Sequence, residues 1–415
     1  MFFLLSLFLM GRGLYFLNYN EPLKIGRVLK LLSIRFICYK FVKFEECSLK
    51  AGREKIAMVT AAQEVQEARK TQKKKVGNKC KFLILVLIPI IAFFISITLG
   101  RYSITIKETI TILFLKIISK ILRVDIDLPK VIETVIFQVR IPRIITAMIV
   151  GSSLTVSGAV YQGMFKNPMV SPDILGTSAG AGFGAALAIL LSFDSLGIQV
   201  SAFVFGLAAV LITYTISMKV GKGGNVMLVF ILAGILVSTI FQSLISLSKY
   251  VADPYDKLPA ITFWLMGSLS AISQRDVYTI IIPFLLGFIP LFLVRWHLNI
   301  LSFGEEEARA LGVNTKKMRF LAIVCSTLLT ASSISVAGMV GWVGLIVPHL
   351  ARMIVGPDFK VLLPASALMG CTYLLLVDNV ARSLMTIEIP LGILTSLMGA
   401  PFFIYLLLNT RRGWN

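Results

Sequence analysis

The chain has little charge and few of the residues that do soluble chemistry. Asp, Glu, Lys and Arg make up only 15% of its 415 residues, whereas 57% are hydrophobic. A soluble domain of this length needs more charge to cover its surface, so a water-soluble globule is excluded. Histidine occurs twice, as His297 and His349, far apart in sequence, which argues against a histidine-based metal centre. The five cysteines, Cys38, Cys47, Cys80, Cys325 and Cys371, form no CxxC pair, so neither a disulfide framework nor a zinc site is read. No GxxxxGK[ST] is present. Gly221-Lys222-Gly-Gly224 is glycine-rich but lacks the spacing and the Ser/Thr of a phosphate loop. HExxH is also missing, and an enzymatic reading has no support.

Long apolar runs take the place of these features. Residues 82–99 carry no charge and are long enough, as a helix, to cross a hydrocarbon core of about 30 Å. Spans are expected at 82–100, 142–163, 174–191, 199–219, 226–247, 277–296, 316–336, 340–355, 361–380 and 391–409. The expected fold is an all-α membrane protein. Spans 174–191, 226–247 and 277–293 carry no charged side chain, although ion-coupled carriers keep carboxylates at mid-membrane. Asp378 is the main intramembrane acid, and its place near the end of a span suits capping or interfacial anchoring. A secondary transporter with inverted repeats is the rival reading, and the scarcity of buried acids speaks against it.

The formal charge of +20 is distributed unevenly. Residues 1–79 hold 16 Lys/Arg and 6 Asp/Glu, so they supply +10 of it. Much of the remainder flanks the spans, which is the pattern of a topology signal and not of a nucleic-acid groove. Residues 1–81 form a basic extension, expected to be a cytoplasmic juxtamembrane tail, and residues 82–412 the transporter proper. Met58 is an alternative start, and on that reading 1–57 precede the native protein. Basic residues before the first span and an even span count put both termini in the cytoplasm. The segment 101–141 resists this rule with seven basic residues. Within it, 106–123 sets Lys116, Lys120 and Arg123 against Ile110, Leu113, Ile117 and Ile121, the pattern of an amphipathic helix in the interface.

Ser153-Leu-Thr-Val-Ser-Gly-Ala-Val160 echoes Ser333-Ile-Ser-Val-Ala-Gly-Met-Val340 at an offset of 180 residues, which also pairs Pro168 with Pro348. The two copies lie five spans apart, so the halves are expected to be inverted. Gly176, Gly180, Gly182 and Gly184, and later Gly338, Gly341 and Gly344, are spaced for close helix packing. Outside the spans, Leu301-Ser-Phe-Gly-Glu-Glu-Glu-Ala-Arg-Ala-Leu-Gly-Val313 reads as a short cytoplasmic helix. Its three acids suit a helix N-terminus and Gly312 its stop. Ala308 and Leu311 are expected to form a small apolar face that seeks a partner.

The run Gly304-Glu305-x-x-Ala308-x-x-Leu311-Gly312 resembles the coupling loop of the ABC-importer permeases for iron–siderophores, haem and cobalamin. Arg140-Ile-Pro-Arg143 is similar to the start of that family's second span. Asn167-Pro168-Met-Val-Ser-Pro172-Asp-Ile-Leu-Gly176 resembles its N-P-L-x-x-P-x-x-L-G loop, with Met169 in place of Leu. Gly341-Trp-Val-Gly344-Leu-Ile-Val-Pro348-His349-Leu-Ala-Arg352 resembles G-F-I-G-L-I-x-P-H-x-x-R, with Trp342 and Val343 as departures. Leu391-Gly392 and Gly399-Ala400-Pro401-Phe402-Phe403 resemble its final span. The likeness covers about residues 82–412.

That resemblance implies the type II ABC-importer permease fold, with about ten transmembrane helices in two inverted five-helix halves. It implies a homodimer in a prokaryotic plasma membrane, two separate ATP-binding subunits and an external solute-binding protein. Gly304, Glu305, Ala308, Leu311 and Gly312 would carry the ATPase contact. Arg140, Arg143 and Arg382 would dock the binding protein, and Gly221, Gly224 and Asn225 would gate the cytoplasmic end. Pro348 and His349 would be structural. No cofactor, resident metal or nucleic acid is implied.

Overall fold

The computed structural model describes residues 82–100, 102, 104–122, 129–221 and 226–409, and the predictions for 1–81 lie outside them. All regular structure among the described residues is helical. In chain order the helices are α1 (Phe82–Thr98), α2 (Ile106–Leu122), α3 (Lys130–Met164), α4 (Thr177–Leu190), α5 (Ser195–Val220), α6 (Val226–Val251) and α7 (Lys257–Met266). They continue as α8 (Gln274–Leu293), α9 (Arg295–Phe303), α10 (Glu305–Ala310), α11 (Thr315–Ala337), α12 (Val343–Val355), α13 (Phe359–Ser383) and α14 (Leu391–Asn409). Six of these, α3, α5, α6, α8, α11 and α13, are long and apolar enough to cross a membrane. Shorter apolar helices occupy the other four expected spans.

Capping residues set many of the boundaries. Thr105 and Glu108 exchange bonds across the first turn of α2, with Glu108 accepting from Thr105 N at 2.9 Å. Ser273 and Asp276 do the same for α8. Asp194 and Asn314 accept from Gly197 N and Lys317 N to begin α5 and α11. The amphipathic segment predicted at 106–123 is α2, joined to α3 by a Lys116–Glu133 ion pair. Helix α7 falls in no predicted span because its ten residues, KLPAITFWLM, are apolar but too short.

Helix α3 is the axis of the molecule. It begins about a dozen residues before its predicted span and widens to a π-turn over Val135–Arg140. Pro142 follows one residue later. Its ring lacks an N–H and crowds the carbonyl four residues back, which the wider turn relieves. From Pro142 to Met164 nearly every residue is buried. Such a helix needs neighbours on all sides. It gets them by backbone contact: a Cβ on Gly158 would overlap the carbonyl oxygen of Gly344 in α12, and one on Gly151 would overlap that of Gly370 in α13. On another face Ser157 pairs with Thr330 of α11 at 2.8 Å, and Tyr161 with Thr327 at 3.2 Å. These are interhelical hydrogen bonds of the kind that join helices in apolar surroundings.

The 180-residue sequence echo does not extend to the backbone. Ser153–Val160 lies inside α3, whereas its counterpart leaves α11 at Ala337 and turns at Gly338 with φ of +70°. Gly158 is therefore a contact glycine and Gly338 a turn glycine, and only the latter needs left-handed backbone.

Gly370→Val should unfold or strongly destabilise the protein, by about 3 kcal/mol or more, because even a Cβ there would overlap the buried Thr155 side chain and the Gly151 carbonyl oxygen. Gly341→Ala, whose Cβ would meet nothing within 4 Å, should shift the thermal midpoint in detergent by little. Comparison of the two midpoints checks this.

Candidate functional site

At one end of the bundle α9 and α10 form a short bracket. Gly304 joins them with φ of +146°, and a side chain there would strike the carboxylate of Glu307 and Nζ of Lys166. A six-residue helix such as α10 is not stable on its own, and side chains hold it in place. Glu305 accepts from Arg309 at 2.6 Å and from Arg319 of α11 at 2.9 Å. The bond from Arg319 does most to hold the Glu305 carboxyl below its usual range. Lys166, just past α3, donates to the carbonyl of Phe303. Asn299 donates to Asp358 at 2.6 Å and accepts from Phe359 N at 2.7 Å, which ties α9 to the start of α13.

This bracket corrects one expectation. Ala308 and Leu311 do not share an outward face. Ala308 is fully buried against Ile300 and Val313, while Leu311 is 63% exposed. The helix stops at Ala310, so the three-residue spacing no longer describes one face. Gly312, at φ of +78°, turns the chain back toward α11. Phe303 is the exposed apolar neighbour that spacing arguments missed; it lies outside the motif and leaves no periodic signal.

At the opposite end the three predicted docking arginines are also placed differently from expectation. Arg140, Arg143 and Arg382 are all buried. Arg140 donates to the carbonyls of Ile97, Thr98 and Tyr102 at and beyond the end of α1, where a cation is favoured. Arg143 grips Asp378 through Nε and Nη2 at 2.8–3.2 Å and reaches Glu388 at 3.0 Å. Arg382 donates to the carbonyl of Ser96 at 2.7 Å and to its hydroxyl at 2.6 Å. The arginines face the helix contacts and bind α1, α3 and α13 together. Asp378 is thus a buried ion-pair partner and not an interfacial cap. The same end holds a cavity of about 600 Å³ whose wall includes Gln199, Lys257, Trp264 and Asp276.

Of the expected gate residues, Gly221 ends α5, while Gly224 and Asn225 lie outside the described residues. Farther along, Met266, Met339, Gly392, Ser396 and Leu397 line a second cavity of about 680 Å³. Beside it Trp342 adopts left-handed backbone at φ of +68° and meets the ring of Phe403 edge-on at 5.8 Å. Among the described residues no three His, Cys, Asp or Glu side chains cluster as metal ligands.

Comparison with known proteins fits this architecture. The chain is 43% identical over 329 residues to the molybdate import system permease protein MolB of Haemophilus influenzae, covering 79% of this chain and 95% of MolB. It is 40% identical over 280 residues to the cobalamin import system permease protein BtuC of Halobacterium salinarum, covering 67% and 74%. A solved ABC transporter of metal-chelate type, in an inward-facing conformation, superposes with a TM-score of 0.70 at 42% identity and covers 80% of this chain and 99% of that one. The fold and its relatives define an ABC-transporter permease, a multi-pass membrane protein. The FecCD transport family profile matches residues 87–409, and the chain belongs to that family.

Two outcomes check the site. Replacing Arg143 with Met leaves buried Asp378 with only its longer 3.6 Å contact to Arg382 and should cost about 3 kcal/mol, read as a fall in thermal midpoint. Glu305→Gln should speed hydrogen exchange over 305–313 at neutral pH. The carboxyl's folded-state pKa is depressed, so its contribution is present above the ordinary value of 4.5 and lost as pH falls through the folded value. The wild-type segment should therefore loosen only in acid, and the Gln variant should show no such step.

Proposed function

We propose that the chain is the membrane-spanning subunit of an importer for an iron–siderophore or related metal chelate, such as haem or cobalamin. It works as a homodimer with two ATP-binding subunits and a solute-binding protein. The α9–α10 bracket carries this reading. It is a stiff unit, anchored to α3, α11 and α13, that presents Phe303 and Leu311 outward. A push on it reaches three bundle helices at once, as a coupling element requires. In this scheme Glu305 is the anchor, Ala308 the inner packing contact, Leu311 the ATPase contact, and Gly304 and Gly312 the turns.

The six long and four shorter apolar helices make ten spans, in two inverted five-helix halves, with both termini in the cytoplasm of a prokaryote. The bracket lies on the cytoplasmic side, where Lys316 and Lys317 accord with the charge rule. Gly221, Gly224 and Asn225 border the cytoplasmic gate. The buried Arg140, Arg143 and Arg382 brace the external face and leave contact with the binding protein to exposed neighbours such as Arg275. Molybdate is the second reading, favoured by the likeness to MolB.

Reconstitution with the partner ATPase and binding protein tests the proposal. Labelled ferric siderophore should enter liposomes only with ATP. Uptake driven by a proton gradient in liposomes holding this chain alone would refute it, and uptake of labelled molybdate in place of the chelate would select the second reading. Leu311→Asp should lower transport about tenfold or more while ATP hydrolysis persists, since a charge would sit in an apolar contact. Unchanged transport would remove Leu311 from the coupling surface.

A further inference from the structure

We propose that the cleft between α5 and α11 is a seat for one anionic phospholipid. This inference depends on the membrane placement and not on the cargo. The cleft has a volume of about 440 Å³ and is walled by Leu207, Leu211 and Tyr214 on α5 and by Phe320, Val324 and Leu328 on α11. Apart from Tyr214 and Thr327, its walls are hydrocarbon or aromatic. From Val204 to Tyr214 it rises about 15 Å at helical pitch, half of a hydrocarbon core of about 30 Å. Its length therefore matches an acyl chain in one leaflet.

The polar end of the cleft is built for the opposite chemistry. Lys316 and Lys317 lie one turn before Phe320 and straddle the cleft-facing side of α11. Lys219 lies at the end of α5, five residues past Tyr214. All three are exposed, and none forms an ion pair with another described residue. Tyr214 rests edge-on against Phe320 at 5.5 Å, at the depth where aromatic rings meet headgroups. The Tyr214 hydroxyl makes no hydrogen bond to another described residue, so a donor is free for a phosphodiester. An apolar slot of one leaflet's length with three exposed cations at its mouth, none paired with another described residue, complements a lipid that carries negative charge. A second copy of the chain is a poorer occupant, because a two-fold contact here would bring like lysines together.

Native mass spectrometry of the full-length chain, extracted in mild detergent with its accompanying subunits, tests this with added phosphatidylglycerol or phosphatidylcholine. Phosphatidylglycerol should be retained in preference. Changing Lys219→Gln, Lys316→Gln and Lys317→Gln together should weaken its binding on the order of 100-fold and leave phosphatidylcholine unaffected. Leu211→Trp, which fills the cleft with the lysines intact, should also displace the lipid, and excess inorganic phosphate should not. Equal retention of both lipids would overturn the proposal, as would indifference to the triple change or competition by phosphate. So would a Leu211→Trp protein that alters its oligomeric state but keeps its lipid.

Discussion

Everything in this bundle is arranged around a helix that touches its neighbours through bare backbone. Where α3 crosses α12 and α13, glycines face each other and leave no side-chain layer between the helices. Within a bilayer, burial of apolar surface does little to drive helices together, because lipid tails are as apolar as leucine. Close approach, with the dispersion contacts and hydroxyl hydrogen bonds it permits, is what remains. The serine and threonine content of α3 and α11 follows from this. Those side chains are small enough to keep the helices near and polar enough to link them.

The charged cluster at the far end is the electrostatic counterpart of that packing. Three arginines and two carboxylates are drawn into the junction of α1, α3 and α13. Burying such charges is expensive, and replacing a buried pair with apolar side chains is often neutral. What the pairing supplies is direction. Arg143 and Asp378 stand 235 residues apart, and each is satisfied only when α3 and α13 meet at one height. The cluster therefore fixes the register of helices whose apolar surfaces would tolerate sliding. The α9–α10 bracket uses the same device at smaller scale, with Glu305 locking α10 to α11.

The spans were legible in the sequence because crossing a membrane demands an uninterrupted apolar run. Helix α7 was not, since ten apolar residues meet no such demand. The early start of α3 was hidden because Lys130, Glu133 and Arg140 break the apolar run. The short helix α10 could be found from its glycines and acids. Its inside and outside could not be told apart, because a six-residue helix is too short for periodicity to set a face. The arginines were located by their motif, but their partners lie on remote segments, and a single sequence does not reveal which charges are neutralised in the folded state.

The exposure of Phe303 and Leu311 has a consequence for the life of the subunit before it assembles. On the proposed placement, two large apolar side chains exposed on a rigid mount outside the bilayer would form a mark that chaperones and proteases recognise. A copy made in excess of its ATPase would remain exposed to that scrutiny, while an assembled copy would have the mark covered. On the proposed function, one feature would thus both transmit force in the finished machine and certify that the machine is complete.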